Sequence, residues 1–260
     1  VHGRVLNGVG RASAFTDRLL RQCCYVGFVR CLHVTLITGA KVIVAEYPLG
    51  ESSVLLSLGD GRKIECKLYG APLNQAKGVA VMCHPHSLLG GTMDNKVVHT
   101  LWRTFKSIGI NVLRFNFRGV GASEGQYDHG QGETDDLAEI MDWIAVKFPR
   151  QPIYLAGFSF GAYVAAAYVT RDRHVPLKRV FLIAPPVHHF AMEHIEHLNV
   201  PVSIVMGERD ELVPVEQVMR WADKLAERSV VQVHMLPDAT HFFHGQLLAL
   251  KEKMLQDLAG

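Results

Sequence analysis

From residue 46 onward the chain alternates short, almost wholly apolar runs with longer stretches whose apolar positions recur at helical spacing. Gly78–Cys83, Asn111–Asn116, Ile153–Ala156, Arg179–Ile183, Val202–Met206 and Val230–Leu236 are four to seven residues long, so they predict strands. Between and after them, Asn95–Ile108, Thr134–Phe148, 160–170, Val215–Arg228 and Phe243–Leu258 predict helices. The second of these is opened by Glu133, Asp135 and Asp136, acids that suit the positive end of a helix dipole. Ahead of the first unit, Ser53–Leu58 and Arg62–Tyr69 alternate around Gly59-Asp60-Gly61, the signature of a β-hairpin. An opening hairpin followed by repeated β-α units predicts an α/β fold with a mostly parallel central sheet and helices on both faces.

Length adds that one large domain is expected: at 260 residues the chain can bury a substantial core and is short for two. Residues 46–260 form that domain and 1–45 read as an N-terminal extension without regular pattern. The formal net charge of +2 hides an asymmetry, because residues 1–45 carry six Lys or Arg against Asp17 alone, which leaves 21 basic and 24 acidic residues beyond. A mildly acidic body argues against a nucleic-acid partner. Gln22–Val44 is apolar but is interrupted by Arg30, His33 and Lys41, so no membrane span is expected, and it lacks a signal-peptide cleavage pattern. The five cysteines have neither disulfide-scaffold nor zinc spacing and read as reduced thiols of a cytoplasmic protein, with Cys83 a core residue.

Candidate chemistry gathers where strands end. Gly157-Phe158-Ser159-Phe160-Gly161 joins a strand to a helix, and a sharp turn there would expose Ser159 at a helix N-terminus, with small residues on either side to let backbone approach. A serine needs a base to take its proton and a third group to orient that base. Asp210 follows the strand ending at Met206, and His241 follows the strand ending at Leu236, both beyond carboxyl ends where ligands of such sheets bind. Glu208, Glu211 and Asp238 are rival acids on the same loops, and Asp210 could equally serve the turn before the helix at 215. The oxyanion of acyl transfer would be met by the backbone amides of Phe160 and of His86, with Ser87 the alternative to His86. His84 and His86 could open a metal site, but no carboxylate or cysteine stands at a recognised spacing, so no metal is expected. The histidines at 188, 189, 194 and 197 read as solvated loop residues. Arg118-Gly119-Val120-Gly121-Ala122-Ser123 lacks the lysine and the full glycine pattern of nucleotide loops and reads as a tight turn at the edge of the site, so no cofactor is expected.

His84-Pro85 with Gly90-Gly91, Phe115-Asn116-Phe117-Arg118-Gly119-Val120-Gly121, the elbow at 157–161, and the chain order Ser159, Asp210, His241 together resemble the α/β-hydrolase superfamily, in particular small bacterial hydrolases related to dienelactone hydrolase. The resemblance runs from about Pro48 to the end and implies the α/β-hydrolase fold without a large lid domain. Dienelactone hydrolases proper carry cysteine at the elbow, so Ser159 turns the expectation from lactones to esters.

The resulting expectation is a serine hydrolase, a carboxylesterase acting on small short-chain acyl esters through an acyl-enzyme. Its rivals are an acyl-peptide or amide hydrolase with the same triad and a non-catalytic binding protein of the same fold. Long-chain lipases insert a lid after the strand that follows the nucleophile helix. Only Ala184–Pro201 is available there, room for one short helix near Phe190–Leu198.

Overall fold

The computed structural model describes residues 47–72, 75–171 and 175–259. The readings made for residues 1–45, including the cysteines at 23, 24 and 31, lie outside the described residues. Among the described residues, eight strands form one sheet in the order β1-β2-β4-β3-β5-β6-β7-β8. These are β1 Gly50–Ser57, β2 Lys63–Gly70, β3 Val79–Cys83, β4 Asn111–Phe115, β5 Ile153–Phe158, β6 Leu177–Ile183, β7 Val202–Gly207 and β8 Val231–Leu236. β1 and β2 pair antiparallel as the predicted hairpin, β2 meets β4 antiparallel, and every later pairing is parallel.

Burial explains the layering. Every residue of β3, β4, β5 and β7 is buried, so both faces of the central sheet are covered, whereas β1 at the edge alternates partly buried with exposed positions. Among the described residues the cover comes from five helices: α1 Lys96–Ser107, α2 Gln131–Lys147, α3 Phe160–Val169, α4 Val215–Ala226 and α5 Leu247–Ala259. Of these, α1 packs against α5 and α2 against α3. Phe105, Phe115, Phe158 and Phe181 are among the largest fully buried side chains, each worth roughly 2 kcal/mol of burial. Cys66 and Cys83 are buried free thiols, and burial pushes both well above the ordinary thiol range.

Three predicted helices begin or persist differently. α2 starts at Gln131, not Thr134, because the buried Glu133 carboxylate reaches back to accept the amides of Gly130 (2.8 Å) and Asp128 (2.9 Å), capping the earlier turn. α5 starts at Leu247, not Phe243: Phe243 has φ 52°, outside the helical region, and its buried ring is anchored near Phe158. The short helix expected over Phe190–Leu198 is a single 3₁₀ turn, Met192–His194, since Phe190 and Ala191 both take positive φ (61° and 55°). No helix among the described residues is long and apolar enough to cross a membrane.

Candidate active site

β5 runs directly into α3, and Ser159 is the joint. Its backbone amide still continues the sheet, donating to Ile183 O at 2.8 Å, while its carbonyl already accepts from Ala162 at 2.7 Å and Tyr163 at 3.3 Å. Serving two elements at once forces φ 53°, ψ −121°, a conformation costing about 1–3 kcal/mol for a residue with a Cβ. The flanking glycines make the joint possible: a Cβ on Gly157 would meet Gly161 O at 2.1 Å, and one on Gly161 would meet Cys83 O at 2.4 Å. Phe160 and Gly161 precede the first amides that find a carbonyl in α3, so their N–H groups stand at its open, positive end.

The structure brings Ser159, His241 and Asp210 together. His241 is 3 % exposed, its Nε2 lies 3.1 Å from Ser159 Oγ, and its Nδ1 lies 2.8 Å from Asp210 Oδ2. Because a carboxylate only accepts, Nδ1 carries the proton and Nε2 presents a lone pair to the serine hydroxyl. Asp210 also serves its turn: Oδ1 accepts the amides of Leu212 at 2.9 Å and Val213 at 2.8 Å, so the carboxyl group that meets His241 is also the one that closes the loop. Among its rivals, Glu211 accepts the backbone amide of His241 at 3.0 Å, and Asp238 pairs with the exposed Arg209 at 2.6 Å. Glu208 is exposed.

The loop after β3 folds around His86. The His86 carbonyl accepts from Leu89 (3.1 Å) and Gly91 (3.0 Å), and its Nδ1 accepts from Leu88 at 3.2 Å. Its Nε2 meets Tyr127 Oη at 3.1 Å, and its ring lies 5.1 Å from that of Phe160, the other candidate oxyanion donor. Gly91 must be glycine, since a Cβ there would meet Pro85 O at 2.1 Å.

His84 has a different part. It is fully buried, with Nδ1–H donating to Pro85 O at 2.6 Å and Nε2 accepting the Phe117 amide at 2.9 Å. Both ring nitrogens are committed to backbone, and burial lowers its pKa to about 4. Arg118 is likewise structural: its guanidinium makes a bidentate pair with the buried Asp136 at 2.7 and 2.6 Å, and Arg62 reaches the same carboxylate at 2.9 Å. The buried Asp136 and Glu133 were read from sequence only as dipole-matched acids.

Nor are all the loop histidines solvated. His188 is partly buried, with Nδ1 enclosed and unpartnered, and it feels the charges of Asp210 and His241; burial lowers its pKa. His197 bonds Ser229 and Asn199 at 3.2 and 2.5 Å, whereas His189 and His194 are exposed. A groove of about 380 Å³ is lined by Val187, Glu193 and His194 on one side and by Gln217, Arg220, Trp221 and Lys224 of α4 on the other, and it includes none of Ser159, Asp210 or His241.

The elbow follows β5, and the acid and base follow the neighbouring strands β7 and β8 on the same edge of the sheet. A family model described as an alpha/beta hydrolase domain matches residues 79–253. The chain belongs to the alpha/beta-hydrolase family. An alpha-beta serine hydrolase homologue from Coxiella burnetii is 37 % identical, with a TM-score of 0.75 over 82 % of this chain and 100 % of that one. A Xanthomonas campestris structure described as an a/b serine hydrolase without lid is 32 % identical, with a TM-score of 0.71 over 80 % of this chain and 94 % of that one. A lysophosphatidylserine lipase of Danio rerio is 26 % identical over 170 residues, 52 % of this chain and 44 % of that protein, so the present alpha/beta hydrolase corresponds to less than half of that relative's length. The protein is thus a hydrolase of the serine alpha/beta type, in keeping with its sheet order and its elbow.

Proposed function

We propose that this hydrolase is a carboxylesterase that works through an acyl-enzyme formed on Ser159. The observation that carries the reading is the continuous pair of contacts from Ser159 Oγ to His241 Nε2 (3.1 Å) and from His241 Nδ1 to Asp210 Oδ2 (2.8 Å). Ser159 Oγ attacks the ester carbonyl while His241 Nε2 takes its proton, and Asp210 holds the imidazole in the tautomer that can accept it. The carbonyl oxygen, now anionic, is met by the amides of Phe160 and His86 at the open end of α3. The tetrahedral adduct collapses with His241 protonating the departing alcohol. Water then enters, gives its proton to the same imidazole and attacks the acyl carbon, releasing the acid and restoring Ser159. No step requires a metal or cofactor.

The test is labelling by a fluorophosphonate and turnover of p-nitrophenyl butyrate. The wild-type protein is expected to do both, and Ser159→Ala to lose labelling and all but a few thousandths of its turnover. A folded Ser159→Ala variant that keeps a tenth of the activity removes covalent catalysis at this residue. Extending the panel to anilides separates esterase from amidase activity, and including lysophosphatidylserine covers the ester class in the name of the Danio rerio relative.

A further inference from the structure

Five rings on four separate elements form one connected surface beside Ser159. His86 comes from the loop after β3, Tyr127 from the loop after β4, Phe160 and Tyr163 from α3, and Phe190 from the loop after β6. Their centroids are linked at 4.9 Å (His86–Tyr127), 5.1 Å (His86–Phe160), 5.1 Å (Phe160–Phe190), 6.2 Å (Phe160–Tyr163) and 5.0 Å (Tyr163–Phe190), the last pair stacked at 20°. Phe160 is buried behind the others, while the remaining four are only partly buried, so the group presents ring surface outward and does not close a core of its own.

Two features show that this surface is held in place at a cost. Phe190 and Ala191 are consecutive non-glycine residues at φ 61° and 55°, a conformation that side chains with a Cβ disfavour, and the turn they make lays Phe190 on Tyr163, Phe160 and His86. Strain of this kind persists where surrounding structure imposes it, and it clusters at ligand-contacting sites. On the opposite side, the Tyr127 hydroxyl is tied to His86 Nε2 at 3.1 Å, and the buried Glu133 pins the loop behind Tyr127 through the amides of residues 128 and 130.

The rings also have a defined relation to the reaction. Under the proposed mechanism the leaving alcohol must depart beside His241, whose ring packs with a different set, Phe158 and Phe242, at 5.2 and 5.1 Å. The five-ring surface instead surrounds Phe160 and His86, the residues assigned to the carbonyl oxygen, and Tyr163 stands one helical turn beyond Ser159. It therefore flanks the acyl half of the ester. We infer that the acyl site is built for a planar ring, and that the preferred substrates are esters of aryl carboxylic acids, with the acyl ring stacked against Tyr163, Phe190 and His86. This inference rests on the serine esterase reading.

The experiment compares p-nitrophenyl benzoate with p-nitrophenyl cyclohexanecarboxylate, which share a leaving group and nearly a volume but differ in planarity, each kcat/KM divided by the rate of hydroxide hydrolysis. Ring stacking is expected to favour the benzoate by about five- to tenfold in the wild-type protein, and Phe190→Leu and Tyr163→Leu are each expected to erase most of that ratio. Inhibition of the wild-type protein gives a readout that needs no variant: phenylboronic acid, which adds to a serine hydroxyl as a tetrahedral boronate, should inhibit several-fold more tightly than cyclohexylboronic acid. Hydrolysis of p-nitrophenyl acetate with no benzoate preference, or with the boronic acids in the reverse order, overturns the aryl inference alone. Failure to hydrolyse any of the three esters, together with no fluorophosphonate labelling, overturns it along with the esterase reading beneath it.

Discussion

Replacing Asp210 by asparagine tests the proposed division of labour at its least obvious point, because four acids stand on the two loops concerned. The carboxylate side chain is fully buried and uses both oxygens: Oδ1 accepts two backbone amides, from Leu212 and Val213, and Oδ2 accepts His241 Nδ1–H. Asparagine can satisfy only one side. With its oxygen toward the loop it keeps two hydrogen bonds and turns its NH₂ toward Nδ1, so that two donors face each other. With its oxygen toward His241 it sets NH₂ against the amide donors of Leu212 and Val213, of which the more enclosed, Val213, would lose about 1–3 kcal/mol if left unsatisfied. The first arrangement is cheaper, since the imidazole escapes by moving its proton to Nε2. That tautomer presents a donor to Ser159 Oγ and cannot take the serine proton. The expected loss in kcat is about 10⁴-fold, the size seen when the wrong tautomer is enforced in such triads, which is about 5 kcal/mol of barrier at 1.36 kcal/mol per factor of ten. Initial rates on p-nitrophenyl butyrate, with circular dichroism to establish folding, measure it. Glu211→Gln keeps an acceptor for the His241 amide, and Asp238→Asn loosens only an exposed pair with Arg209, so both are expected to stay within about tenfold of wild type. A folded Asp210→Asn protein that retains more than a tenth of the activity, or a larger loss from Glu208→Gln, Glu211→Gln or Asp238→Asn, refutes the argument.

Three further outcomes follow from the same geometry. Gly161→Ala places a Cβ 2.4 Å from Cys83 O and 2.6 Å from His84 O, backbone atoms that cannot swing aside, so urea unfolding should show a loss of about 1–3 kcal/mol or more, and an unchanged midpoint contradicts the packing at the elbow. His84 has a folded pKa of about 4 against an ordinary 6.5, so between these values the unfolded chain binds a proton that the folded one refuses. Stability is therefore fully present above pH 6.5 and falls by on the order of 3 kcal/mol as the pH drops to about 4; urea titrations at pH 7.5 and 4.5 should show that difference shrinking in His84→Gln, and an equal pH dependence in both proteins sinks the idea. Among straight-chain p-nitrophenyl esters, kcat/KM should rise by the roughly 0.8 kcal/mol that a buried methylene contributes, peak near about four carbons, and fall beyond, because the 184–201 segment supplies only one 3₁₀ turn as cover; continued improvement past about ten carbons argues for a larger acyl channel.

The strands were legible because burial on both faces leaves a plain mark: a central parallel strand such as Val79–Cys83 or Val202–Gly207 has no polar face to maintain, so it reads as an unbroken apolar run. Helix starts were less so. The beginnings of α2 and α5 depend on a carboxylate turning back onto Gly130 and on Phe243 being pulled into the core, and both are tertiary choices that local propensity does not encode. The positive φ of Phe190 and Ala191 is of the same kind, since nothing in Phe-Ala disfavours a helix until the ring finds Tyr163. In the site, strand ends located Ser159, Asp210 and His241, but the choice among four acids was open in one dimension. It turns on which carboxylate the loop after β7 points inward, and that is set by the two amides at Oδ1. His84 was illegible for the opposite reason: an imidazole that satisfies one carbonyl and one amide leaves no pattern at all.

A second grouping of serine, aspartate and histidine in the same molecule shows how much arrangement outweighs composition. Ser203 near the start of β7, His234 on β8 and Asp257 on α5 are in contact, but the carboxylate is in the middle: Ser203 Oγ donates to Asp257 Oδ2 at 2.5 Å, and His234 Nε2 meets the same oxygen at 2.9 Å. Arg179 donates to Ser203 Oγ at 3.0 Å, which occupies one of that oxygen's two lone pairs. A serine bonded to the acid instead of the base has nothing to take its proton through to a leaving group, and Ser203 is fully buried. What this cluster does is hold α5 to the sheet, since Asp257 lies on the helix and both of its partners lie on strands. The grouping at Ser159 differs in the order of its contacts, with histidine bonded to both serine and acid, and in the strained joint at the end of β5. Those two differences, and not the residue types, separate the proposed nucleophile from a structural clasp.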